Sequence, residues 1–300
     1  MRYRMIWAYL RPPLHPISFD CGLNCQFTAE YLALIGRIIL PVVLRDYSKM
    51  TENDCDQLFT QYRGKEFGNL HDVTIGPNGE IAISDGGNNC VIVLDSNLHL
   101  LSVIGRGSDG NRLVLPVGVA FSKNGNIAVC DQNSHQIKKY YLHGKLLSVI
   151  SSGYGSDLGE LKYPRGLVFC DNGMLYVVDQ GNHRIQVFQQ DDIPAFTFRS
   201  EGSDAGQFQK PVRIAIDTNR VIVSDYDGNH ISLFSHTGSF ITRIACDSPW
   251  AIAVSPDGFM IVSCGGEDNK IRVFDTTHRF ISLVRKDHNH MNLIKFVAWL

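Results

Sequence analysis

Several protein classes are excluded by what the sequence lacks. None of its 8 cysteines stands in a C-x-x-C pair, so the spacing that marks a zinc site is missing and no metal is expected. Neither sign of charge dominates. Lys and Arg number 28 against 30 Asp and Glu, a formal net charge of −2, so a nucleic-acid surface would have to be local rather than chain-wide. Long apolar runs are absent too. Arg2 and Arg4 precede a short apolar stretch that Pro12 and Pro13 end too early for a signal sequence. Residues 31–44 contain Gly36, Arg37 and Pro41 and fall short of the roughly 20 residues of a spanning helix. No membrane segment is expected, and reduced thiols in a cytoplasmic protein fit the scattered cysteines best. Cys130 and Cys264 close apolar runs and read as small buried hydrophobes. No Ser/His/Asp or Cys/His set stands out, so no catalytic residue, cofactor or small-molecule substrate is expected.

What is present is a repeat. A composition 44% hydrophobic and 19% charged is that of a globular protein able to fill a large core. Residues 162–188, KYPRGLVFCDNGMLYVVDQGNHRIQVF, read as three short strands joined by an Asn-Gly turn and a polar loop. Such a unit cannot bury its faces alone, and it recurs. Asp179 aligns with Asp85, Asp131 and Asp225, each followed six residues later by an aliphatic residue opening the next strand. A fifth copy aligns on Ile271 and places Gly265 at the Asp position. The copies recur every 40 to 48 residues, a four-stranded propeller-blade period.

Pro116, Pro164, Pro211 and Pro249 open the first strand of their units, and Asn78-Gly79, Asn124-Gly125, Asn172-Gly173 and Asp257-Gly258 turn into the second. In the fourth unit Thr218-Asn219-Arg220 is an imperfect substitute. Fourth strands are expected at 100–104, 146–150, 196–200, 240–244 and 280–284. A lone copy at 58–62 precedes the first complete unit, where a propeller often places the strand that closes its last blade. The fold class is therefore all-β, a propeller over 56–286. A six-bladed type is expected, with about five blades present and the last incomplete. Residues 1–55 read as a separate segment or the end of a preceding domain, and 287–300 as an apolar tail.

Pro164-x-Gly166, Asn172-Gly173, Val178-Asp179 and the run Gly181-Asn182-His183-Arg184-Ile185 resemble an NHL repeat. So does the Gly-rich connector before it, which returns as GSDAGQFQKP at 202–211. The resemblance is most specific in units three and four and weakest in five. It is closest in style to TRIM-NHL proteins. That implies a recognition module for protein substrates or single-stranded RNA, within a ubiquitin ligase or a post-transcriptional regulator, rather than a catalytic domain. The ligase activity of that group resides in a RING, and the Cys/His ligand series of a RING is absent from this sequence. Related propellers also serve as metal-dependent lyases or lactonases, whose sites need divergent His and carboxylates converging on the channel.

In an up-and-down blade the connector between units and the loop after the second strand emerge on one face. That face should carry His71, Arg165, Arg213 and Trp250 beside the Pro positions, and Gln132, Gln180 and Tyr226 after the Asp positions. An exposed mixture of Arg and aromatics suits a peptide hot spot or stacking with RNA. The repeated Asp85, Asp131, Asp179 and Asp225 read instead as structural turn residues accepting backbone N–H groups, because a site needs residues that differ between blades. His135, His183 and His230 read as loop hydrogen-bonders at a single repeat position.

Overall fold

The computed structural model describes residues 68–285, apart from 98, 108–110, 256–257 and 266–269. They form five four-stranded antiparallel sheets, each paired in simple chain order. Blade one holds β1 (Leu70–Ile75), β2 (Ile81–Asp85), β3 (Cys90–Leu94) and β4 (Leu100–Ile104). Blade two holds β5 (Pro116–Phe121), β6 (Ile127–Asp131), β7 (Gln136–Tyr140) and β8 (Leu146–Ile150). In blade three these are β9 (Pro164–Phe169), β10 (Leu175–Asp179), β11 (Arg184–Phe188) and β12 (Pro194–Phe198). Blade four contains β13 (Pro211–Ile216), β14 (Val221–Asp225), β15 (His230–Phe234) and β16 (Phe240–Ala245). Blade five contains β17 (Pro249–Val254), β18 (Met260–Cys264), β19 (Lys270–Phe274) and β20 (Phe280–Arg285). The first strands β1, β5, β9, β13 and β17 pack side by side in that order, so they line the axis. The architecture is a β-propeller of five blades among the described residues. The lone strand expected at 58–62 and the segments 1–55 and 287–300 lie outside them. No described helix is long and apolar enough to cross a membrane.

The sequence places most strands well, and its misses are instructive. The outer strand of blade three is Pro194–Phe198 rather than 196–200. Chain spacing from third to fourth strand is the same in all five blades, and a Pro is tolerated at the start of an outer edge strand. In blade five, Pro249 pairs with Cys264 and Cys264 with Lys270, as Pro116 pairs with Asp131 and Asp131 with Gln136. Cys264, not Gly265, therefore holds the Asp position, and the loop that follows is one residue longer than in the other blades.

Core forms between blades. Val91, Ile104 and Leu113 of the first junction meet Val119, Ile127 and Tyr140 of blade two, and similar clusters fill the next three junctions. Burying each such side chain contributes about 1.5–3 kcal/mol. Serines of second strands staple neighbouring blades: Ser84 Oγ donates to the Val117 carbonyl and Ser224 Oγ to the Trp250 carbonyl, each at 3.0 Å. Near the axis the strands almost touch. A Cβ on Gly118 would sit 2.1 Å from the Arg165 carbonyl oxygen, and one on Gly166 would sit 2.9 Å from that of Val212.

Gly79, Gly125, Gly173 and Gly258 take φ of 78° to 86° in the first turn of their blades, a conformation costly for any residue with a Cβ. Blade four lacks this glycine and uses charge instead. Asp217 accepts the N–H groups of Asn219 at 2.9 Å and Arg220 at 2.7 Å, and Arg220 Nε at 2.8 Å. Burial alone would raise the Asp217 carboxyl, but these donors hold it below the usual carboxylate range.

Candidate recognition face and channel mouth

The four turn aspartates are fully buried. Each fastens the connector that leads into its own blade. Asp85 accepts Gly68 N–H at 3.0 Å, Asp131 those of Val114 and Leu115, Asp179 that of Lys162, and Asp225 those of Gln209 and Lys210. Side chains of the following loop or third strand complete the shell. Asn88 donates to Asp85, Lys138 to Asp131 at 2.9 Å and Arg184 to Asp179 at 2.7 Å, while His230 lies 3.6 Å from Asp225. Burial raises the Asp179 carboxyl, against the pull of Asn182, the Lys162 N–H and Arg184.

His135 and His183 do share a repeat position, but with Asn89 and Asn229 rather than with His230. All four have φ between 52° and 57°, a left-handed conformation in which Asn and His are enriched among side-chain-bearing residues. His230 opens the third strand opposite Asp225: it stands one position past the loop, and that loop is as long as those that end in His135 and His183. From the left-handed position the chain reaches the next connector. His135 Nδ1 accepts the Tyr163 N–H at 3.1 Å, Asn229 Oδ1 accepts that of Ser248 at 2.9 Å, and His183 Nδ1 sits 2.8 Å from the Gln209 carbonyl.

These fastened connectors and loops hold the candidate side chains on one face. Arg165 of blade three reaches past blade four and stacks on Trp250 of blade five, with Cζ 4.5 Å from the ring centroid. Trp250 meets Tyr226 edge to face at 5.2 Å, and Lys210 Nζ lies 5.2 Å from the Tyr226 centroid. Arg213 and His71 meet as well, across the axis: Arg213 Nη2 donates to the His71 carbonyl. His71 lies against Gly86. Gln180 Nε2 donates to the Pro211 carbonyl at 2.9 Å, bracing the wall of the mouth. Gln132 opens the 3-10 turn Gln132–Ser134 of blade two, where its N–H donates to the Leu115 carbonyl at 2.9 Å. Of the seven residues, Arg213 departs most from an exposed position. It is only 6% exposed, because Gly118, Gly166 and Ala251 at the equivalent places leave room for its side chain to cross the channel.

Sequence reasoning missed a second aromatic group on this face. Tyr154 and Tyr163, 58% and 44% exposed, flank His135 edge to face at 4.7 and 4.6 Å, and Lys162 Nζ lies 5.7 Å from the Tyr154 centroid. Of the residues before the connector prolines, Leu115, Tyr163, Lys210 and Ser248, only Tyr163 is aromatic and legible as a signal. Asp72 was missed too, although its place beside His71 matches that of Arg213. Asp72 Oδ1 lies 3.7 Å from Arg213 Nε, and Oδ2 accepts the Val119 N–H at 3.1 Å. Burial pushes the Asp72 carboxyl up, opposed by Arg213. The opposite face offers a groove of about 520 Å³ between blades two and three, but Lys139 and Asp192 pair across it and Ser148 donates to Asp192 at 2.7 Å.

Fold and face together define a β-propeller whose blades present a mixed cationic and aromatic rim. The NHL repeat family matches residues 113–140 and 161–188, which are blades two and three, and the WD domain, G-beta repeat, matches 227–275 across blades four and five. The protein is thus a propeller carrying NHL repeats. Blade four, expected to be as specific as blade three, falls outside the NHL match, in keeping with its substituted turn and its Val212-Arg213 in place of Arg165-Gly166. No curated protein matches the sequence. Among solved structures, a catalytically inactive virginiamycin B lyase from Staphylococcus aureus with quinupristin is 13% identical, with 74% of this chain and 71% of that chain covered at a TM-score of 0.58. A nidogen/laminin complex gives 14% identity, 73% and 82% coverage and a TM-score of 0.58. The structure of U3-55K gives 15%, 74%, 66% and 0.58. At these identities the likeness is one of fold.

Proposed function

We propose that this chain is a non-catalytic recognition module that binds a protein partner through the face around the channel mouth, as the substrate-recognition part of a TRIM-NHL-like protein. The observation that carries this reading is the ladder Lys210, Tyr226, Trp250, Arg165, which joins three blades on one face. Stacked aromatic and Arg side chains on a rigid frame are the usual anchors of a protein interface. Asp157, Glu160, Glu201 and Asp204 on the same face dilute its positive charge, which favours a protein over a polyanion. Use of a similar fold in a nidogen/laminin complex agrees with a protein partner.

Single-stranded RNA is the second reading, because Lys162 over Tyr154 and Lys210 over Tyr226 combine a stacking platform with a phosphate contact. A metal-dependent lyase or lactonase would need a donor set. Among the described residues no three His, Cys, Asp or Glu side chains gather to form one.

The test is quantitative capture of partners from cell extract with wild-type, Trp250→Ala and Tyr226→Ala proteins of equal thermal stability, beside filter binding to single-stranded RNA. Loss of the same proteins in both variants is the expected result. Unchanged capture would remove this face from consideration. Salt-dependent RNA binding that falls on mutating Arg165 would move the reading to RNA.

A further inference from the structure

Arg165 and Arg213 stand close enough to repel each other, and both have too few partners. Arg213 is nine-tenths buried, yet its Nη1 has no hydrogen-bond partner and its Nε only the loose contact with Asp72 at 3.7 Å. Arg165 stacks on Trp250 and leaves its own buried Nε without a partner. Burial, then the nearby positive charge of Arg213, lowers the Arg165 guanidinium to about 10. Two mutually repelling cations therefore lie close together, and Asp72, whose carboxyl burial raises, approaches Arg213 alone of the two. Orphaned charged donors of this kind are expensive unless something answers them.

We propose that the mouth of the central channel is a carboxylate-binding site, in which an Asp or Glu side chain of the protein partner is held between the guanidinium groups of Arg165 and Arg213. The inference rests on the recognition reading above and supplies the chemistry of the partner. Charge favours a carboxylate. With Asp72 answering one arginine, one positive charge remains, which matches a single carboxylate, and a guanidinium offers parallel N–H groups to both of its oxygens. The first strands approach so closely at Gly118 and Gly166 that a Cβ would strike the neighbouring backbone.

The experiment uses the full chain with 15N-labelled arginine, titrated with N-acetyl-Gly-Asp-Gly-amide, its Asn counterpart, and uridine monophosphate. Saturable shifts of the Arg165 and Arg213 Nε–H signals with the Asp peptide, at least tenfold weaker with Asn, are expected. Arg165→Gln, which keeps the buried Arg213–Asp72 pair, should weaken the Asp peptide at least tenfold with thermal stability retained, and Arg213→Lys should weaken it through loss of the planar fork. No shift, equal shifts with Asp and Asn, or tighter binding of the nucleotide would overturn the proposal. Failure here, with partner capture still lost in Trp250→Ala, would leave the recognition face standing. Peptide shifts with capture unchanged would uphold the channel site and remove the face.

Discussion

The junctions entering blades four and five occupy the same place in the repeat and are closed by different chemistry. Before blade four, Phe208 is fully buried three residues ahead of Pro211, and Asp225 ties down the Gln209 and Lys210 N–H groups. Before blade five, Cys246 takes the place of Phe208 and Cys264 that of Asp225, and their sulfurs lie 3.0 Å apart. Contact with Cys264, then burial, pushes the Cys246 thiol up and keeps it protonated. With a Cys at the Asp position, the connector turns to the preceding blade, where Asn229 accepts the N–H groups of Cys246 through its carbonyl and Ser248 through its side chain. The comparison shows which demand is general. A connector must be plugged by something apolar and its N–H groups must find acceptors, but neither residue type is obligatory.

The largest effect is expected where the plug is large. Phe208 touches Phe234 edge to face at 5.6 Å within an aromatic cluster, so Phe208→Ala should cost about 3–5 kcal/mol in urea unfolding. Cys246→Ala should cost about 1 kcal/mol, and equal losses would show that the two junctions are packed alike. Next comes the fastening. Asp225→Ala strands two backbone donors and the buried His230, and a loss of about 1–3 kcal/mol is expected in thermal unfolding. Cys264→Ala should lose less than half as much, and a greater loss would break the distinction drawn here.

The smallest effect is a local pH response at the junction entering blade three, which resembles that of blade five. Tyr163 and Ser248 both precede a Pro with φ of 51° and 44°, and both donate to the left-handed residue of the preceding blade. In one case that acceptor is His135 Nδ1, which can accept only while the ring carries no proton there. Burial, then Lys162, lowers the His135 pKa against the opposing influence of Asp179. A depressed folded value means that the contribution is complete above the unfolded value of about 6.5 and is lost as pH falls through the folded one. Amide exchange at Tyr163 should therefore gain an acid-dependent acceleration below pH about 6.5, beyond the intrinsic rate. His135→Asn, which copies Asn229, should abolish it, and exchange that ignores pH in the wild type would sink the idea.

Much of this architecture was legible because it is local. Alternating apolar residues, Asn-Gly turns and a Pro opening each first strand act over a few residues, so the sequence yields the blades, most strand limits and the face on which Arg165, Tyr226 and Trp250 emerge. It failed at Cys264, where the following loop is one residue longer and a fixed offset cannot see the insertion, and at His230, which strand register places one position past a loop of ordinary length. Tyr154 was overlooked because its counterpart before the next connector is Glu201, so the repeat does not mark an aromatic there.

The sequence by itself thus determined a repeating all-β ring of blades, since turn chemistry and two-residue alternation are written within each unit. Only the tertiary structure decided what meets at the axis. Arg213 and His71 are 142 residues apart, and Arg165 passes over an intervening blade to reach Trp250. Those contacts follow from the angle at which successive blades pack and from the room left by Gly118, Gly166 and Ala251, quantities set by the closeness of the first strands to one another and by no single repeat.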